Sequence, residues 1–186
     1  MPGMARTPSR RTFLYSAAGL GAAVLGWTFG ARRHPANEGR PAWAGVQLAR
    51  PDGGEVRLDQ WLGRPLLLHF WATWCAPCVR ELPALNAWAA RQGAQGWQVL
   101  GIAADTAQAV QGFAPARGLH FPLALAGAQG LALARELGNA QGGLPFSVAL
   151  DAQGQVRWQK RGATEAEDLT ALETLLQQLT SGKDRS

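Results

Sequence analysis

Trp71-Ala72-Thr73-Trp74-Cys75-Ala76-Pro77-Cys78 holds the only two cysteines of a 186-residue chain, and two residues separate them. The apolar run Pro65-Leu66-Leu67-Leu68-His69-Phe70 leads into this stretch, and a segment of helical composition from Ala76 to about Arg91 leads out. The pair is therefore expected where a buried strand hands over to a helix N-terminus. The first turn of a helix has unpaired backbone N–H groups and the positive end of the macrodipole. Both favour a thiolate, so a cysteine placed there titrates below the free value of about 8.5. Cys75, the outer member, is expected to be the nucleophile. Cys78, one turn further in, is expected to be more buried and to act as the resolving thiol. Pro77 suits the first helical turn, where a missing N–H costs nothing.

Other uses of the pair fit less well. Structural zinc takes four ligands, and only His34, His69 and His120 are present to join the cysteines. Covalent haem attachment wants histidine directly after the second cysteine, where Val79 stands. A structural bridge closing so short a loop would constrain the unfolded chain little.

The Trp74-Cys75-Ala76-Pro77-Cys78 core, with Phe70-Trp71-Ala72 just before it, resembles the thioredoxin superfamily. It is most similar to the exported TlpA/ResA/CcmG-like thiol–disulfide oxidoreductases, and the match runs from about Gly45 to Leu179. Glu81 and Pro83 reproduce the C-x-x-E-x-P pattern of the TlpA-like branch, in which the proline kinks the active-site helix. Leu144-Pro145, followed by Phe146–Asp151, resembles the family's cis-proline and the strand after it.

The resemblance implies an α/β fold: a thioredoxin-like three-layer α/β/α sandwich with a mixed central sheet and an N-terminal β-hairpin extension. It implies that Pro145 is cis, packs beside the thiols and keeps metal from them. The backbone of Leu144 would pair with an incoming extended peptide. Trp74 would form part of an apolar docking surface, whereas Trp71 belongs in the core. His69 lies six residues before Cys75, where thioredoxin proper has a buried acid that moves the proton of the inner cysteine. A neutral imidazole would do similar work; otherwise His69 is only a polar strand residue. Glu81 is expected to be solvated, Asp105 to face the site, and His120 to be a loop residue. A peroxiredoxin-type cysteine would expect threonine three residues earlier, and Ala72 is there instead. Neither a cofactor nor a bound metal is implied.

Charge is unevenly placed. Residues 1–44 carry six arginines against Glu38, which leaves 12 basic and 12 acidic residues in the remainder. The formal +5 of the chain thus belongs to its N-terminal segment and does not indicate a nucleic-acid partner. Ser9-Arg10-Arg11-Thr12-Phe13-Leu14 resembles a bacterial twin-arginine export signal. The apolar Ala17–Phe29 that follows, about thirteen residues, is shorter than the roughly twenty of a spanning helix and suits a signal h-region. Residues 1–44 are read as a twin-arginine-type signal or membrane-anchor segment plus polar linker, and 45–186 as the thioredoxin-like domain. Ala42-Trp43-Ala44 has the A-x-A form of a cleavage site but lies far downstream. Export implies a periplasm, where disulfide chemistry persists.

Within the domain, Val46–Leu48 and Glu55–Leu58 flank Pro51-Asp52-Gly53-Gly54 as a hairpin. Leu66–Phe70 and Val99–Ile102 read as parallel strands joined by the active-site helix. Thr106 is a candidate N-cap for a helix reaching about Ala114, which Pro115 and Gly118 interrupt. After a short run at Phe121–Leu125, Gln129–Leu137 is helical with Leu131, Ala134 and Leu137 on one face. Val148–Leu150 and Val156–Lys160 form a second hairpin. Thr164-Glu165-Ala166-Glu167 reads as a capping box for a last helix striped by Leu169, Leu172, Leu175, Leu176 and Leu179.

The expected activity is that of a periplasmic thiol–disulfide oxidoreductase. It would reduce disulfides in partner proteins of cytochrome c maturation or copper-site assembly, and a membrane thiol-reductant donor would re-reduce it. The alternative is a copper-handling assembly chaperone, since soft thiolates suit Cu(I).

Overall fold

The computed structural model describes residues 40–181. Of the signal and linker segment expected at 1–44, residues 1–39 lie outside the described residues. In chain order the elements are β1 (Gln47–Ala49), β2 (Glu55–Arg57), β3 (Leu66–Trp71), α1 (Ala76–Arg91), β4 (Gln98–Ala103), α2 (Ala107–Ala116), β5 (Leu123–Leu125), α3 (Gly127–Glu136), β6 (Phe146–Leu150), β7 (Val156–Arg161) and α4 (Ala166–Ser181). Short 3₁₀ turns occupy Ala42–Gly45 and Leu58–Trp61.

Five strands form a mixed sheet in the order β5-β4-β3-β6-β7. β3 runs parallel to β4 and antiparallel to β6, so the strand that ends at the cysteine motif is the central one. Every residue of β3 is buried, which is why its sequence shows no alternation and a single polar side chain, His69, among apolar ones. Alternate residues still serve opposite faces. Leu66, Leu68 and Phe70 pack with the β1–β2 hairpin and α3. Leu67 and Trp71 pack with α1, α2 and α4 through Leu82, Leu85, Val110 and Leu172. Two apolar layers on one sheet make the expected sandwich, with β1–β2 as its separate two-stranded extension.

Gly101 marks the tightest point of the sheet. A Cβ there would lie 2.7 Å from both Leu123 Cδ2 and Phe121 Cε2. Only glycine lets the edge segment approach the centre of β4 so closely.

Several expectations from sequence are corrected by the packing. The boundary placed at residue 45 cuts through the fold. Trp43 and Ala44 are core residues, and the Trp43 indole N–H donates to the Gly154 carbonyl at 3.0 Å. Gly154 sits at φ +80°, and a Cβ on it would meet the Trp43 ring at 2.6 Å. The A-x-A triplet is therefore structural packing in the folded chain. Pro115 does not end α2, which closes only after Ala116. A proline in a final turn removes a single N–H bond there. Leu131 is not a core residue of α3; Gly130, Leu133 and Ala134 are, and Leu131 is 42% exposed. The Thr164 capping box does not form, because the Thr164 hydroxyl pairs with Ser147 Oγ at 3.0 Å. The cap is displaced by one residue: Asp168, third in α4, accepts from the Glu165 N–H at 2.9 Å.

Candidate active site

Cys75 is the N-cap residue of α1, and its Sγ accepts from the Cys78 N–H at 3.4 Å. The sulfur thus occupies the place of the side-chain oxygen that normally satisfies an orphan donor at a helix start. Pro77 lies in the first turn. The two cysteines are joined as a disulfide with an S–S distance of 2.09 Å. Cys75 is 6% exposed and Cys78 fully buried, the asymmetry expected of outer and inner thiols. Trp74, immediately before, is 69% exposed.

The segment between β3 and α1 is held from two sides. The Cys75 N–H donates to the Ala72 carbonyl at 3.2 Å. The Thr73 N–H and hydroxyl both donate to the Asp105 carboxylate, at 3.0 and 2.5 Å, and the Thr106 N–H donates to its other oxygen at 2.8 Å. Partial burial pulls the Asp105 carboxyl upward, but these donors outweigh it and hold it below the usual carboxylate range. Asp105, expected to face the site, has its carboxylate bracing the turn that presents the thiols. Thr73, one place late for a peroxidatic motif, has its hydroxyl committed to Asp105.

The Leu144–Pro145 peptide is cis. Leu144 is half-buried and borders both apolar layers, and Pro145 leads directly into β6, the antiparallel neighbour of β3.

Between β3, α1, β6 and the loop before α4 lies a buried polar ring. His69, on β3, is fully buried; its Nδ1 is 2.9 Å from Ser147 Oγ on β6. Ser147 Oγ contacts Thr164 Oγ1, and the Thr164 N–H donates to Glu81 Oε2. Glu81 Oε1 returns to within 3.4 Å of His69 Nε2. The sequence reading had Glu81 solvated, yet its side chain is 3% exposed. Glu81 sits one turn beyond Cys78 on α1, and the loop before α4 closes over it.

Two proton placements close the ring. A protonated Glu81 Oε1 donates to His69 Nε2, His69 Nδ1–H donates to Ser147, and Ser147 donates to Thr164. Each buried polar atom then has a partner. An ionised Glu81 is served instead by the other neutral tautomer of His69, whose Nε2–H faces Oε1 at 3.4 Å while Nδ1 accepts from Ser147; only the protonated form leaves no buried charge. Burial favours this neutral arrangement. It lowers His69 to about 3. It raises Glu81 to about 7 against the pull of the Thr164 hydrogen bonds, with Glu165 and Asp168 adding to the rise. Ser147 and Thr164 were missed as site residues. The available signal was Ser147 itself, a lone hydroxyl inside the apolar strand Phe146–Leu150.

Among the described residues, no three His, Cys, Asp or Glu side chains converge as a metal-binding group. A cavity of about 420 Å³ is lined by Trp74, which directly precedes Cys75, by Leu144, which directly precedes cis-Pro145, and by Leu131; neither cysteine lines it. A slightly larger cleft, about 500 Å³ between the β1–β2 turn and α2, contains neither cysteine. His120 lines that cleft and is a loop residue, as expected.

A family model described as the AhpC/TSA family matches residues 41–159. The chain belongs to the AhpC/TSA family. Among AhpC/TSA-type relatives it is similar to the thiol-disulfide oxidoreductase ResA of Bacillus anthracis, with 32% identity over 120 residues. That match covers 63% of this chain and 66% of the relative, just under two thirds of its length. The sporulation thiol-disulfide oxidoreductase A of Bacillus subtilis is 27% identical over 150 residues, 78% of this chain and 87% of the relative. Among solved structures, a thioredoxin-related protein from Neisseria meningitidis serogroup B superposes with a TM-score of 0.63 at 28% identity, covering 70% of this chain and 98% of that one. A putative thiol:disulfide interchange protein DsbE from Chlorobium tepidum gives 0.61 at 29% identity, covering 72% and 92%. The fold of this AhpC/TSA-family chain is thioredoxin-like.

Proposed function

We propose that this chain is a thiol–disulfide oxidoreductase that reduces disulfides in partner proteins. The observation that carries the reading is the Cys75–Cys78 pair, with an outer sulfur at the N-cap of α1 and an inner one buried behind it. Names of the relatives support the same chemistry.

In the reduced form, the Cys75 thiolate attacks a disulfide sulfur of the partner. A mixed disulfide forms and one partner sulfur leaves as a thiolate that takes up a proton. The Cys78 thiol loses its proton to the Glu81–His69 pair and attacks Cys75 Sγ. The second partner thiol is released and the Cys75–Cys78 bridge remains, with two electrons and two protons transferred. A base near 7 is matched to neutral pH, and the ionised pair accepts that proton on Glu81. His69 acts through Glu81 and is a positioning residue. Leu144 and cis-Pro145 present backbone to the partner, Trp74 presents an apolar face, and Pro77 shapes the first turn of α1.

The site works from an exported domain in a periplasm, tethered or released through residues 1–39, and a membrane thiol donor reduces it again. No helix among the described residues is long and apolar enough to cross a membrane. Partners are disulfide-bearing proteins of cytochrome c maturation or copper-site assembly. Ala76 and Pro77 place neither charge nor side-chain donor on Cys75, which favours the reducing part of the range from about −270 to about −120 mV. Equilibrating the full chain with redox buffers, with the dithiol fraction read by alkylation and mass shift, should give a midpoint nearer the lower value. A midpoint near the upper value contradicts a reductase. Failure to interconvert, with Cu(I) bound instead, favours a copper chaperone.

A further inference from the structure

Trp74 and Leu131 are two of the three large apolar side chains left exposed among the described residues. They come from different elements, the turn before α1 and the middle of α3, yet they line one cavity of about 420 Å³. Trp74 and Leu144, the residues directly before Cys75 and cis-Pro145, both line it, so the groove borders the segments that carry the thiol and the cis peptide. Arg135, one helical turn beyond Leu131, stands on its wall. Arg135 forms no ion pair among the described residues, and no acidic side chain lines the cavity. The outer wall is stiffened: Asn139 is buried, its Nδ2 donates to the Gly143 carbonyl at 2.9 Å, and the Gly142 N–H donates to the Asn139 carbonyl at 3.0 Å. Among the described residues, no backbone hydrogen bond uses the N–H or C=O of Leu144.

Resting on the oxidoreductase reading above, we propose that this groove selects the partner: it takes an extended segment whose cysteine is flanked by an apolar side chain and by a carboxylate. The Leu144 backbone offers strand-type pairing to such a segment. Trp74 and Leu131 cover the apolar side chain, and Arg135 meets the carboxylate. Both selective contacts lie outside the reacting sulfurs, so they separate one disulfide partner from another without altering the chemistry of exchange. An apolar anchor supplies affinity, and a rim charge supplies preference and on-rate.

The test uses the full chain with a dithiol donor and disulfide-linked peptide dimers that differ only beside the cysteine. The flanking charge is glutamate or lysine, and the neighbouring apolar residue is leucine or alanine. Wild type should favour glutamate over lysine by about 3- to 10-fold in kcat/KM, and the ratio should shrink with added salt. Arg135→Glu should invert it. Arg91→Glu, at the far end of α1, makes the same change of net charge and should leave the ratio as in wild type. Wild type should also favour leucine over alanine by about 5-fold or more, and Leu131→Ala should narrow that preference. A glutamate-to-lysine ratio near one, or one that Arg135→Glu does not move, overturns the groove while leaving the oxidoreductase in place. If wild type reduces none of the peptides, the functional reading fails and the groove falls with it.

Discussion

Glu81 and His69 oppose each other in the pH dependence of the fold. Glu81 holds its proton to about 7 in the folded chain against an ordinary 4.5, so its contribution is full below 4.5 and lost as pH rises to 7. His69 stays neutral down to about 3 against an ordinary 6.5, so its contribution is full above 6.5 and lost as pH falls. Between 4.5 and 6.5 the two slopes cancel. His69→Asn removes one of them. Urea midpoints of that variant should therefore fall with pH across this window relative to wild type, and parallel curves would refute the opposed titration of the buried pair. The same pair controls resolution of the mixed disulfide. Its rate should rise through about pH 7 in wild type. Glu81→Gln should flatten that profile and slow the step by about 10²-fold, followed as single-turnover release of the partner thiol; an unaltered profile would remove Glu81 from the proton path.

α4 shows what an element contributes beyond its own residues. Its buried Leu169 and Leu172 lie against α1 and the sheet, and the Trp97 indole donates to the Leu172 carbonyl at 2.9 Å. The loop that enters it supplies Thr164 to cover Glu81. Leu172→Ala should destabilise the fold by about 2–5 kcal/mol, read as a lower urea midpoint at unchanged slope; a loss below about 1 kcal/mol would mean that α4 is not seated there as described. Element identities were legible because their signals are local: the apolar run of β3, the D-G turn of the first hairpin, the Thr106 cap and the leucine stripe of α4. What escaped is tertiary. Nothing near Glu81 in sequence shows that a segment some eighty residues later will bury it. Thr164 reads as a cap because the competing hydroxyl, Ser147, lies on another strand. Leu131 fits a helical apolar period, yet the face it occupies is the cavity and not the core.

At the scale of the molecule, the cysteine motif and Pro145 were legible because each carries a local signal, the paired cysteines after an apolar run and a proline directly before the apolar strand Phe146–Leu150. The domain limit was not readable: Trp43 looks like linker in sequence, and only its closure against Gly154 shows otherwise. Trp43→Ala should cost about 3–5 kcal/mol, measured by urea unfolding of the full chain, whereas a residue of a linker would give almost none. Everything functional still depends on the order in which two sulfurs act. The most direct measurement is trapping of partner proteins by the single-cysteine variants of the reduced full chain. Cys78→Ser should accumulate mixed disulfides through Cys75 that a reductant releases, and Cys75→Ser should accumulate none; equal trapping by both variants, or trapping by neither, would contradict the account.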